Sequence, residues 1–275
     1  MTQDRTKEGK APNKAFVFSV MSLKQKVRNA QALFYTLGFP IMFTVIFYFV
    51  FSNMEVQGPS PGPQNAFDYG FPGMIIYATG LLCNSAAIFF ANGKKNGMLE
   101  RLDTMPVGRK NIFIGGLLAE TWFVILQILI MFGLGYGIMN VYYKDVGMML
   151  IGFVIAVVFG IQSAGLGIIL AAYAKSPEAA NGFAMMYFMP AIFASGALVP
   201  FESPIVYFFP PYWAKQIFLQ ITVDGDNLEA LMKSSSLATS TEIGIPLWGG
   251  LLILIALTFA FLAIGIAIFQ KKTSV

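Results

Sequence analysis

The sequence contains no histidine and only one cysteine, Cys83. Without imidazole the chain lacks the commonest metal ligand and the commonest general base at neutral pH. A His-dependent intramembrane metalloprotease and a Ser-His hydrolase are therefore excluded. One cysteine cannot form a disulfide within one chain. Cys83 lies in an apolar run and reads as a small buried hydrophobe. No G-x-x-x-x-G-K-[ST] phosphate loop occurs, so any ATP chemistry must come from another polypeptide. No Cys/His cluster is present to hold a metal, and no nucleophile stands beside a base. The chain thus reads as a non-enzyme that binds no cofactor of its own. Charge is scarce as well. Asp, Glu, Lys and Arg make up 12% of the 275 residues, against about a quarter in a soluble domain. No basic stripe interleaves with aromatics on a soluble fold, which excludes nucleic acid as a partner.

Apolar residues fill the space that charge leaves. They are 56% of the chain, mean hydropathy is +0.67, and they cluster into runs. A helix needs about 20 apolar residues to cross the hydrocarbon core. Six runs meet this, near 33–53, 71–92, 112–139, 147–174, 182–200 and 246–269. The expected fold is an all-α integral membrane protein with six transmembrane helices in one domain, 15–275. Pro190 interrupts the fifth run, and Ser195-Gly196 and Pro200 follow closely. A broken fifth span with an outer re-entrant segment accounts for this better than one straight rod.

Residues 1–14 are polar and aperiodic and read as a disordered tail. They do not resemble a secretory signal. Over 15–32, Phe16, Val20, Leu23, Val27 and Ala30 recur at steps of three or four, with Lys24, Lys26 and Arg28 on the polar side. This predicts an amphipathic helix in the membrane interface. A soluble lead-in to the first span is the plainer alternative.

Orientation follows the cations. Of the 18 lysines and arginines, all but Lys144, Lys215 and Lys233 fall in the N-terminal region, the loops after the second and fourth spans, or the C-terminal tail. Both termini are therefore expected in the cytoplasm, with the protein multi-pass in the cell membrane. The segment 201–245 is then extracytoplasmic, with a short helix expected around DNLEALMKSS. No internal repeat is evident.

One cytoplasmic stretch, NGMLERLDTMPVGRKNI at 96–112, concentrates charge between long apolar runs. Met98, Leu99, Leu102 and Met105 share one helical face. Glu100, Arg101 and Asp103 point elsewhere, and Pro106 ends the pattern. Such a short helix is marginal alone in water and needs a surface to pack on. Lipid headgroups or a cytoplasmic protein would both serve.

The run from Gly97 to Ala119, G-M-L-E-R-L-D-T-M-P-V-G-R-K-N-I-F-I-G-G-L-L-A, resembles the signature between the second and third spans of ABC-2-type transporter permeases. A second segment, F-A-S-G-A-L-V-P-F-E-S-P from Phe193 to Pro204, resembles the family's motif at the end of the fifth span. The resemblance implies that the stretch within 94–111 is a coupling helix docking on a separate ATP-binding cassette ATPase, which holds ATP-Mg. Met98, Leu99, Glu100, Arg101, Leu102, Thr104, Met105 and Pro106 would form it, with Arg109 anchoring the third span. Pro190, Gly196, Pro200 and Pro204 would belong to an outer gate. The family often has acidic residues where Lys94 and Lys95 stand here, and Gly-Lys where Gly115-Gly116 stand. The resemblance also implies export, and a second permease copy in a homo- or heterodimer set among membrane lipids.

Glu120 is the one clear charge inside a span. An acid there costs about 2.5–3.5 kcal/mol on insertion scales, so it should face protein or a wet cavity. It reads either as a gating or ion-binding group, or as a fastener bonded to Asn84, Ser85, Gln127 or Gln162. The small residues Gly133, Gly135, Gly137, Gly160, Ala164, Gly165 and Gly167 permit close helix contact. The many Phe and Met residues could line a soft cavity for apolar compounds. The leading expectation is a permease subunit exporting hydrophobic or amphipathic compounds. The alternative is a proton- or ion-coupled carrier or channel using Glu120 without an ATPase.

Overall fold

The computed structural model describes residues 14–28, 33–54, 63, 65–97, 109–198, 204–224 and 247–272. Residues 1–13 of the expected tail and the helix expected around DNLEALMKSS lie outside them. Every element among the described residues is helical. In chain order they are α1 (Lys14–Val27), α2 (Phe39–Phe51, entered through a π turn at Phe34–Gly38), α3 (Ala66–Gly80) and α4 (Leu82–Lys95). Next come α5 (Arg109–Phe132, with a π turn at Gly133–Ile138), α6 (Val146–Tyr173) and α7 (Pro177–Ala194). A 3-10 turn (Pro204–Phe208) leads into α8 (Pro210–Leu219), and α9 (Leu247–Lys272) ends the fold.

Caps start several of these helices. Asn65 Oδ1 accepts from Asp68 N–H at 3.0 Å, and Asp68 Oδ2 accepts from Asn65 N–H at 3.3 Å. This reciprocal box satisfies two donors that the first turn of α3 leaves open. Asp145 caps α6 through Gly147 N–H at 2.8 Å. Ser176 caps α7 through Ala179 N–H at 3.2 Å, with Pro177 in the first turn.

Among the described residues, four stretches are long and apolar enough to cross a membrane: Ala66–Lys95, Ile112–Ile138, Val146–Tyr173 and Gly249–Ile268. Thr36–Phe51 is apolar but shorter. Helix α7 has 18 residues and carries Glu178 and Asn181 in its first two turns. The second run thus includes a turn at Leu81, where α3 passes into α4.

Helix α6 is the hub, packing on α3, α4, α5, α7, α8 and α9. Its approach to α4 needs a glycine. A Cβ on Gly167 would lie 2.1 Å from the Cys83 carbonyl oxygen, so only a residue without one lets the two backbones meet.

The expectation for the fifth run needs correction. Pro190 does not break α7, which continues past it to Ala194. Proline removes one N–H donor, and a packed helix absorbs that loss. The break falls at Gly196, whose φ of 68° lies in the left-handed region that favours glycine. The next described elements are the 3-10 turn and α8. Trp213, Ala214, Ile217 and Phe218 of α8 are buried, and the helix packs on α3, α6 and α9.

Candidate functional site

Helix α1 departs from the sequence expectation in where it puts one cation. Phe16, Val20 and Val27, the apolar face expected to meet lipid, are about half exposed, and Met21 more so. The buried stripe is Phe18, Ser19, Ser22 and Lys26, and it packs on α5. Lys24 and Arg28 remain exposed, but Lys26 is not on the polar outer side with them. In a bilayer the surrounding solvent is apolar, so an amphipathic helix can present hydrocarbon outward and close its polar stripe against protein.

Lys26 closes a polar knot among three helices. Its Nζ is paired with Glu120 Oε1 of α5 and donates to Ser85 Oγ of α4 at 2.8 Å. The rings of Phe89 and Phe123 lie 5.3 and 5.6 Å from the ammonium, close enough for cation–π attraction. Lys26 is 5% exposed and Glu120 1%. Glu120 Oε2 and Ser19 Oγ are buried without a hydrogen-bond partner. Of the groups expected to hold Glu120, Ser85 reaches it only through Lys26. The Ser19, Ser22, Lys26 spacing of three and four was the signal that could have identified the true partner.

Gln127, one helical stretch further along α5, fastens a different trio. Its Nε2 donates to Thr36 O and to Ala78 O, each at 2.9 Å. Pro40 has no N–H to close the usual helical bond to Thr36 O, which leaves that carbonyl accessible to the amide. Gln127 therefore ties α5 to the start of α2 and to α3.

The expected coupling residues Met98, Leu99, Glu100, Arg101, Leu102, Thr104, Met105 and Pro106 lie outside the described residues. Their flanks are described: α4 ends at Lys95, and Arg109 is the first residue of α5. Lys95 reaches Glu178 of α7 in an exposed pair at 3.9 Å. Such a surface contact contributes little.

Of the expected outer-gate residues, Pro200 lies outside the described residues and Pro204 opens the 3-10 turn. Gly196 lies at the break after α7. Its carbonyl accepts from Lys215 Nζ of α8 at 3.0 Å. Burial holds that ammonium below the usual lysine range. A cation at a helix C-terminus also complements the helix dipole. Beside it, a Cβ on Gly73 of α3 would lie 1.8 Å from Ala197 O. The end of α7 is thus held by α3 on one side and α8 on the other.

Four membrane-length apolar stretches among the described residues, in an all-helical fold, define a multi-pass helical membrane protein. The ABC-2 type transporter family profile matches residues 15–223, and the chain belongs to that family. Comparison with curated proteins finds no match. The family is one of transport subunits, generally not catalytic themselves, and it implies an ATPase partner.

Proposed function

We propose that this chain is the permease half of an ATP-driven exporter of hydrophobic or amphipathic compounds. The observation that carries the reading is the Lys26, Ser85 and Glu120 knot. It joins α1 to α4 and α5, the two helices on either side of the 98–108 segment. A push on that segment by an ATPase would then move three helices as one body. Helices α2 and α7 would complete six spans, with both termini in the cytoplasm of a plasma-membrane protein. Phe183, Met186, Pro190 and Phe193 form one exposed stripe along α7, a fitting wall for a cavity shared with a second permease copy. The test is Leu102→Asp in the permease co-purified with its ATPase and reconstituted in liposomes. We expect normal insertion, continued ATP hydrolysis and loss of transport. Unchanged transport would sink the mechanism.

An ion-coupled carrier using Glu120 is the weaker reading. The carboxylate already holds a built-in cation, the Lys26 ammonium, where a coupling ion would have to bind. ATP-independent transport that Glu120→Gln abolishes would reverse this preference.

A further inference from the structure

Gln162, midway along α6, is 2% exposed, and neither its Nε2 nor its Oε1 has a hydrogen-bond partner. Burying an amide with both ends unsatisfied is unfavourable, so such a group marks a place where a partner binds. The side chain lines a shallow recess with a free volume of about 10 Å³. The floor is buried, formed by Gln162 with Ser163 and Cys83. Phe159, Phe188 and Pro210 wall it. That space is narrow, sized for about one polar group as large as a water molecule. The rim is different. Leu166 of α6, Tyr187 of α7 and Phe261 of α9 are only partly buried. Helices α7 and α9 both pack on α6, and each contributes a residue to the rim.

We propose that this recess is a binding site, within a single protomer, for a neutral lipid-soluble molecule bearing one hydroxyl or carbonyl group. The polar group enters the floor and the apolar body lies across Leu166, Tyr187 and Phe261. A hydroxyl satisfies both ends of the amide, because it accepts from Nε2 and donates to Oε1. No charged side chain lines the recess, so an ionised head group has no counter-charge there. Gln162 stands 11 residues before Tyr173, or about 16 Å along α6 at 1.5 Å per residue. A phospholipid head group stays at the membrane surface and does not reach that depth. The site is independent of the coupling segment and of ATP-driven export.

The probe is octanol carrying a photoreactive diazirine, applied to the full chain in phospholipid nanodiscs and mapped by peptide mass spectrometry. The expected result is adducts on Leu166, Tyr187 or Phe261. They should fall about tenfold with excess 1-octanol and about tenfold in Gln162→Leu, as loss of one hydrogen-bonded anchor predicts. The competition arm uses the unaltered chain, so it stands even if the variant fails to fold. Labelling that excess octanol does not displace overturns the proposal, as does equal labelling of a folded Gln162→Leu protein. Absence of adducts in the recess also overturns it and leaves a lone water as the partner of the amide.

Discussion

Lys26 and Glu120 stand 94 positions apart and meet as a buried ion pair between α1 and α5. Each charge is acceptable there because of the other. Lys26→Met leaves Glu120 without a counter-charge. Loss of one partner of a buried pair costs about 3–5 kcal/mol. The double variant Lys26→Met/Glu120→Leu should recover most of that loss. Thermal unfolding of the four proteins of this cycle in detergent checks the prediction. Additive losses would mean that the two side chains do not interact.

Gly167 sets the distance between α4 and α6. With its Cβ 2.1 Å from a backbone oxygen, Gly167→Ala forces the helices apart. We expect a loss of about 1–3 kcal/mol or more, the range for overpacking. Gly182 in α7 has nothing within 4 Å of an added Cβ. Gly182→Ala should therefore leave the melting temperature unchanged or raise it. Equal effects at the two positions would contradict the packing.

Gln127→Leu keeps the volume but removes both bonds from the amide to Thr36 and Ala78. Polar contacts between membrane helices are worth about 0.6 kcal/mol each on average, with a maximum near 1.7. The combined loss should be about 1–2 kcal/mol. Proteolysis of the reconstituted protein should show α2 loosening first, since Gln127 holds its entry turn.

Gly196→Ala places a Cβ in a left-handed conformation, at a cost of about 1–2 kcal/mol. Gly196→Asn should cost less, because asparagine tolerates that region. A melting order of glycine, asparagine, alanine from most to least stable checks the assignment of the break. Equal stability of all three would place the bend elsewhere, for instance at Pro190.

Much of the fold was legible because a bilayer imposes a strong constraint. Long apolar runs must be helices there, and their limits followed closely from where polar residues resume. The break of the fifth run was less legible. Pro190 and Gly196 are both helix breakers in principle. Which one bends the chain depends on what holds the end of α7, here Gly73 and Lys215 from distant segments. The candidate site was only half legible. Glu120 stood out as a lone charge, but its partner was concealed among the surface cations of α1.

The sequence by itself determined the solvent, the helical class and the family. Each depends on local facts: run length, charge placement and a motif in fixed order. The tertiary structure alone decided which face of α1 turns inward and which cation neutralises Glu120. Helical periodicity divides a helix into two stripes, but it does not say which stripe meets protein. In water the apolar stripe would turn in. Here the bilayer accepts Phe16, Val20 and Met21, and the interior takes Ser19, Ser22 and Lys26, because a buried carboxylate awaits them there.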